Sequence, residues 1–156
     1  ASQGPRYVGA GPGNLLIATS VAPFRIQIKM RDALSIAEPP FPNDGGMIIP
    51  ADPELYRLAH ESAATMLDEI GVFFEGMTVT RDGDGMDAEI PTAFPGALAA
   101  DDTAYVMALI GLSRGVPCLV IQSLAEITPQ APPAHPARNE ACRLAVKVAE
   151  ILCRRW

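Results

Sequence analysis

The chain has 156 residues, of which 49% are hydrophobic and 19% charged, and its formal net charge is −6. This length and balance predict a single α/β domain over residues 1–156 with its own hydrophobic core, and they exclude a disordered chain. The acidic excess disfavours nucleic acid as a partner. No apolar run has the length that spans a bilayer, and the first residues lack the pattern of a signal peptide, so no membrane partner is expected.

The cysteines favour a reducing compartment. The three of them, Cys118, Cys142 and Cys153, are odd in number and irregular in spacing. That pattern argues against a disulfide framework and against a zinc site. The sequence therefore predicts a cytoplasmic protein with no metal, and nothing in it indicates another cofactor.

The first half of the chain alternates apolar strands with loop-forming segments. Residues 15–21 form an apolar run after a turn cluster, which predicts a buried strand. Residues 24–30 alternate apolar with polar side chains and predict a half-exposed strand. Residues 38–50 hold four prolines and two adjacent glycines, which is typical of a loop. A helix is expected from the Asp52 cap to Ile70.

The second half repeats a strand–helix order. Residues 72–80 predict a strand, and residues 103–114 predict a helix that is apolar nearly all round and therefore buried. Residues 116–123 have the β-rich, apolar character of a central parallel strand. Residues 139–154 predict a final helix, whereas residues 86–97 show no clear pattern. The fold class expected is α/β, with a mixed, largely parallel sheet flanked by helices.

Acidic residues stand next to the predicted helix and the predicted central strand. Asp101 and Asp102 precede the helix, where one carboxylate can serve as a cap and leave the other for a ligand. Glu126 follows the strand, and ligands bind at the carboxyl edges of parallel sheets. Its position fits equally an exposed loop acid and a ligand-binding acid.

Several short segments also follow one another in a specific order. Residues 12–18 read Pro-Gly-Asn before an apolar strand, residues 76–82 form a strand that ends in Thr-Arg-Asp, and residues 94–104 hold Phe-Pro-Gly-Ala and Asp-Asp-Thr-Ala. Gly-Val-Pro opens the next apolar strand, which leads to Ala125-Glu126. In this order the chain resembles the nucleoside phosphorylase and nucleosidase superfamily, which includes purine and uridine phosphorylases and methylthioadenosine/adenosylhomocysteine nucleosidases.

The resemblance implies a nucleoside-like or purine-like ligand, with phosphate as a possible second substrate, and cleavage or transfer at an N-glycosidic bond. It implies that Glu126 is the catalytic acid that faces the base. It also implies substrate binding by Asp82, Asp101, Asp102 and Thr103. Thr103 takes the place of the family's ribose-binding Glu, so it offers a hydrogen bond but no charge.

The resemblance leaves alternatives open, because the family's N-terminal part has no counterpart in this sequence. A fragment, one part of an assembly, and a reduced homologue would each explain that difference. An unpaired edge strand would favour a homo-oligomer or completion by another chain. Two other functions therefore stand beside the enzyme: a non-catalytic binding or structural subunit, and different chemistry on an acidic cluster of Asp101, Asp102 and Glu126, which could hold a divalent metal.

Overall fold

The structure is a computed structural model that describes residues 14–24, 48–70, 72–81, 89–124 and 135–156. The strands in this part of the chain are β1 (Leu15–Phe24), β2 (Ile49–Pro50), β3 (Phe73–Arg81), β4 (Ala97–Asp101) and β5 (Ile121–Ser123). The helices are α1 (Pro53–Ala64), α2 (Leu67–Ile70), α3 (Ile90–Ala93), α4 (Ala104–Ser113) and α5 (His135–Arg155).

The strands form one mixed sheet around the long central strand β1. β1 pairs in parallel with β3, and β3 pairs in parallel with β4. On its other side β1 pairs antiparallel with β2 near its carboxyl end and with β5 near its amino end. Helices pack against both faces. The expected class, a mixed and largely parallel sheet flanked by helices, is confirmed.

A register shift in β1 distributes its side chains between the two faces. The pairing register with β3 shifts by one residue between Ala18 and Ser20. Odd-numbered residues of β1 after this shift therefore point to the opposite face of the sheet from the odd-numbered residues before it. Leu15 and Ile17 accordingly pack under α1 and α5, whereas Val21 packs under α4. Strand β1 thus contributes buried side chains to the hydrophobic clusters on both faces of the sheet.

The helix predicted after Asp52 begins as expected but ends earlier than expected. Asp52 caps α1 as expected, since its Oδ1 accepts hydrogen bonds from the backbone N–H groups of Glu54 (3.1 Å) and Leu55 (3.0 Å). The expected single helix up to Ile70 is wrong, because it divides at Thr65 into α1 and α2. There the Thr65 hydroxyl donates to the Ser62 carbonyl (2.7 Å). No helix in the described ranges has both the length and the apolar character needed to cross a membrane.

The predicted central parallel strand is the main correction. The strand in that region is short, and it runs antiparallel to β1 with Leu15 opposite Ser123. Gly115, at φ +65°, follows the end of α4 and lies six residues before β5 begins. None of residues 116–123 is fully buried, and an apolar run by itself does not specify the direction of a strand. Direction depended on how α4 returns the chain to β1.

One further expectation is wrong, one region without a sequence pattern contains regular structure, and one expected strand extends past the described residues. Residues 86–97, which showed no pattern, contain α3 and the start of β4. Helix α4 is not buried all round, since the side chains of Met107 and Leu112 are 63% and 50% exposed. The expected strand over residues 24–30 has its first residue at the end of β1, and residues 25–30 lie outside the described residues.

Candidate functional site

The ends of two parallel strands bring acidic residues to one edge of the sheet. Thr80 near the end of β3 lies opposite Asp101 at the end of β4. Asp102 and Thr103 then connect β4 to α4. Because β3 and β4 run in the same direction, their carboxyl ends share an edge, which is where open α/β sheets bind ligands.

The Asp101 carboxylate is held by four donors. Its Oδ1 accepts hydrogen bonds from the Thr80 hydroxyl (2.7 Å) and from the backbone N–H groups of Thr103 (3.1 Å) and Ala104 (3.0 Å). Its Oδ2 accepts a hydrogen bond from the side-chain amide of Gln122. Asp101 therefore satisfies N–H groups at the start of α4 and joins that start to β3 and β5.

Two buried threonines extend this network beneath the site. The Thr80 hydroxyl oxygen accepts a hydrogen bond from the backbone N–H of Tyr105 (2.7 Å), and the Thr78 hydroxyl donates to Gln122 Oε1 (2.9 Å). Neither threonine side chain is exposed to solvent. A satisfied buried network of this kind fixes the geometry of the groups that it joins.

Sequence reasoning did not identify Thr78, Thr80 or Gln122 as part of the site. A sign was nevertheless present: Thr78 and Thr80 are two residues apart in an apolar strand, so their side chains share one face. Gln122 is likewise a polar residue within an apolar run. Which groups would satisfy these polar side chains depended on strand pairing.

Asp102 and Thr103 lie at the surface beside this network. The side chain of Asp102 is 75% exposed, and its Oδ1 lies 3.8 Å from Nε of Arg81. Thr103 is exposed and donates its backbone N–H to Asp101. Asp101 therefore takes the capping role, and the Asp102 carboxylate faces solvent.

The two other candidate residues, Asp82 and Glu126, lie outside the described residues. Asp82 directly follows β3 in the chain. Glu126 was placed by its position after a parallel strand, and that reason no longer applies because β5 is antiparallel to β1. The contact between Gln122 and Asp101 nevertheless brings β5 to this site. The role of each of these two acids stays a prediction.

A second polar cluster lies where α1 packs on β3. The Tyr56 hydroxyl donates to Glu75 Oε1 (2.7 Å), and His60 Nδ1 lies 2.6 Å from the same oxygen. Burial, and then the hydrogen bond to Glu75, raises the pKa of Tyr56 to about 12. Tyr56 therefore stays a neutral donor at neutral pH, and His60 is part of a surface hydrogen-bond cluster.

The described ranges contain no group of three or more His, Cys, Asp or Glu side chains arranged to hold a metal ion. Both carboxylate oxygens of Asp101 accept hydrogen bonds from neighbouring donors, and the Asp102 side chain lies exposed at the surface. The acidic-cluster hypothesis also needs Glu126, which is not described, so that hypothesis stays a prediction.

Solved structures share this arrangement of strands and helices. A methylthioadenosine/S-adenosylhomocysteine nucleosidase from Neisseria meningitidis, in complex with methylthio-immucillin-A, superposes with a TM-score of 0.72 at 19% identity, over 95% of this chain and 64% of that chain. The corresponding nucleosidase from Campylobacter jejuni gives 0.67 at 23% identity, over 100% of this chain and 66% of its own. The chain therefore shares the fold of these nucleosidases.

A phosphorylase shares this fold as well. Purine nucleoside phosphorylase from Toxoplasma gondii, in complex with immucillin-H, gives a TM-score of 0.67 at 14% identity, over 96% of this chain and 60% of that chain. The chain thus spans less than two-thirds of the length of each of these relatives. No family model matches the sequence, and no curated protein matches it. At these identities the likeness establishes the fold alone.

Proposed function

We propose that the chain binds a nucleoside or a purine-like small molecule at the carboxyl ends of β3 and β4, and that it acts on an N-glycosidic bond. The observation that supports this most strongly is the likeness of the fold to nucleosidases, one of them in complex with methylthio-immucillin-A. Asp102 and Thr103 are exposed at the edge where such sheets bind ligands, and they supply polar groups that can form hydrogen bonds to a ligand.

Asp102 and Thr103 have the properties needed to bind a sugar. A solvent-facing carboxylate accepts hydrogen bonds from ribose hydroxyls, and charge-assisted bonds of this kind are among the stronger ones. The Thr103 hydroxyl adds an uncharged donor and acceptor. Asp101 positions both residues, because its carboxylate holds the Thr103 N–H and the beginning of α4. Asp82, next to Arg81, is the fourth residue assigned to substrate binding.

Cleavage of the N-glycosidic bond requires a proton donor beside the departing nucleobase. When the N-glycosidic bond breaks, its electron pair leaves with the base, and the sugar carbon gains positive charge. Glu126 would donate a proton or a hydrogen bond to the departing base, which is general acid catalysis. An oxygen of water or phosphate then forms the new bond to the sugar carbon, and an attacking water releases one proton to solvent or back to the Glu126 carboxylate. A carboxylate beside the sugar stabilises the positive charge that develops there.

A non-catalytic binding subunit is the second candidate. Thr103 supplies no charge where the resemblance places a Glu, and the Asp101 carboxylate already has four donors. Both features reduce the negative charge available to a sugar cation. For either candidate we propose a cytoplasmic location, supported by the free thiols of Cys118, Cys142 and Cys153.

Turnover of adenosine, inosine, uridine and methylthioadenosine, each with and without phosphate, tests the proposal. We expect release of the free base from at least one nucleoside. Asp102→Asn and Glu126→Gln should each lower kcat/KM by about tenfold or more, since each removes a charged partner worth about 1.5–3 kcal/mol. Asp68→Asn, an exposed acid in α2, is the matched control and should leave kcat/KM unchanged.

Two outcomes would contradict the enzymatic proposal. Nucleoside binding without any base release would identify the chain as a binding subunit. Millimolar or weaker binding by all four nucleosides, unchanged in Glu126→Gln, would reject the nucleoside site itself.

A further inference from the structure

A buried tyrosine hydroxyl lies beneath the beginning of α4, and nothing assigned so far uses it. Tyr105 is 0% exposed, and its hydroxyl has no hydrogen-bond partner in the part of the chain that the structure describes. Native proteins satisfy nearly all buried polar groups, because a buried hydroxyl without a hydrogen bond is costly. A phenylalanine would fill the same space without that cost, so packing alone does not explain the hydroxyl.

Tyr105 belongs to the edge of the sheet that carries the proposed nucleoside site. It is the second residue of α4, close behind Thr103, and its backbone N–H donates to the Thr80 hydroxyl oxygen (2.7 Å). Side chains of a helix lean toward the N-terminus of that helix. Because α4 begins at the carboxyl end of β4, the Tyr105 side chain leans toward the ligand edge.

Apolar neighbours fix the Tyr105 ring at this edge. The ring is part of the buried cluster under α4 that contains Val21 of β1 and Ile49 of β2. Val21 lies near the carboxyl end of β1, where it pairs with Ile49. Since β1 runs parallel to β3, this end of β1 shares the sheet edge at which β3 and β4 end. Tyr105 therefore lies between the start of α4 and the carboxyl end of the central strand.

The Tyr105 hydroxyl is a neutral hydrogen-bonding group. Burial raises the pKa of Tyr105, so the hydroxyl keeps its proton at neutral pH. It offers one donor and two acceptor lone pairs. Its apolar surroundings disfavour a charged partner, because charge is expensive to bury. A sugar hydroxyl, which both donates and accepts, is a partner of matching chemistry.

We propose that Tyr105 is a ligand-binding residue of the nucleoside site, and that its hydroxyl forms a hydrogen bond with a hydroxyl of the sugar. The proposal rests on the proposed function, and it adds a buried, uncharged contact to the exposed Asp102 and Thr103. A buried group that hydrogen-bonds its ligand discriminates against analogues that lack the partner atom, since it stays unsatisfied when they bind. Tyr105 therefore contributes specificity for the sugar.

Tyr105→Phe removes the hydroxyl and keeps the ring. We expect the variant to bind a nucleoside about tenfold more weakly than the wild type in isothermal titration. Its urea midpoint should be unchanged or higher, because the free protein loses no hydrogen bond. Tyr56→Phe is the matched control: the Tyr56 hydroxyl donates to Glu75 (2.7 Å) where α1 packs on β3, so nucleoside binding should not change.

Analogues that each lack one sugar hydroxyl identify the group that Tyr105 contacts. They are derived from the nucleoside that binds the wild type most tightly, and each is titrated against the wild type and Tyr105→Phe. Loss of the contacted hydroxyl should weaken binding to the wild type by about tenfold and binding to the variant much less, because the partner is already gone. A merely structural role of Tyr105 would weaken binding of all the analogues alike.

Four results would overturn the proposal. Wild-type affinity of Tyr105→Phe would show that the hydroxyl does not contact the ligand. An equal loss of affinity for every analogue would show an indirect effect. A lower urea midpoint of Tyr105→Phe would show that the hydroxyl has a partner within the protein. A wild type that binds no nucleoside would reject the proposed function as well, whereas the first three results leave wild-type binding intact.

Discussion

At the scale of single residues, two adjacent acids have different environments. Asp101 accepts bonds from two backbone N–H groups, a hydroxyl and an amide, whereas Asp102 is 75% exposed. Removal of the half-buried Asp101 acceptor leaves its donors, including the buried Thr80 hydroxyl, unsatisfied, and that loss costs more than the removal of an exposed charge. Asp101 should therefore contribute mainly to stability, and Asp102 mainly to ligand binding.

Alanine substitutions test this division. Asp101→Ala should lower the free energy of unfolding by about 2–3 kcal/mol, because it removes the acceptor for the α4 N–H groups and for Thr80 and Gln122. Asp102→Ala should change it by less than about 0.5 kcal/mol. Urea denaturation of both variants measures the difference. Equal losses would show that the Asp101 network carries no special stability.

At the scale of secondary-structure elements, α4 approaches the segment after it very closely. A Cβ added to Gly111 would lie 2.0 Å from Cys118 Sγ and 3.1 Å from the Val116 carbonyl oxygen. The absence of a side chain at Gly111 is thus what allows residues 116–118 to return alongside α4 toward β1.

Gly111→Ala should destabilise the protein. Overpacking costs about 1–3 kcal/mol, which exceeds the gain in helix propensity of about 1 kcal/mol, because one of the crowded atoms belongs to the backbone. Cys118→Ala removes the sulfur, so the cost of Gly111→Ala should shrink in that background. Gly96→Ala is the matched control, since a Cβ there meets no atom within 4 Å. Equilibrium unfolding in urea compares all four variants, and equal effects at Gly96 and Gly111 would contradict the close approach.

Strand β4 shows why some elements escape prediction. Its sequence, Ala-Leu-Ala-Ala-Asp, has low intrinsic preference for a strand. It is extended because it pairs with β3, with Ala99 opposite Thr78, and because it continues into the Asp101 network. Such pairing is a long-range contact, and the local pattern of side chains does not contain it.

At the scale of the whole molecule, α5 joins parts of the chain that are distant in sequence. Leu144, Val148 and Leu152 are buried against α1 and the amino-terminal half of β1. Near the end of the helix, Arg155 donates to Glu61 Oε2 (2.7 Å). Because both partners of that ion pair are about 40% exposed, the apolar contacts dominate the energetics of docking.

Two substitutions on α5 measure this docking. Leu144→Ala should cost about 2–5 kcal/mol through lost burial and the cavity left behind. Val146→Ala, two residues along the same helix and 67% exposed, should cost less than about 0.5 kcal/mol. Thermal or urea unfolding provides the comparison. Similar small effects would mean that α5 is not part of the cooperative core.

The sequence by itself determined the fold class, the capped helix after Asp52, the apolar strand β1 and the acids that precede α4. These features are local: a cap, a hydrophobic period and a turn residue act within a few positions of the chain. Tertiary structure decided that β5 is antiparallel, that β4 exists, and that Asp101 and not Asp102 is held by Thr80 and Gln122. Each of these depends on hydrogen bonds between residues at least twenty positions apart, which local patterns do not specify.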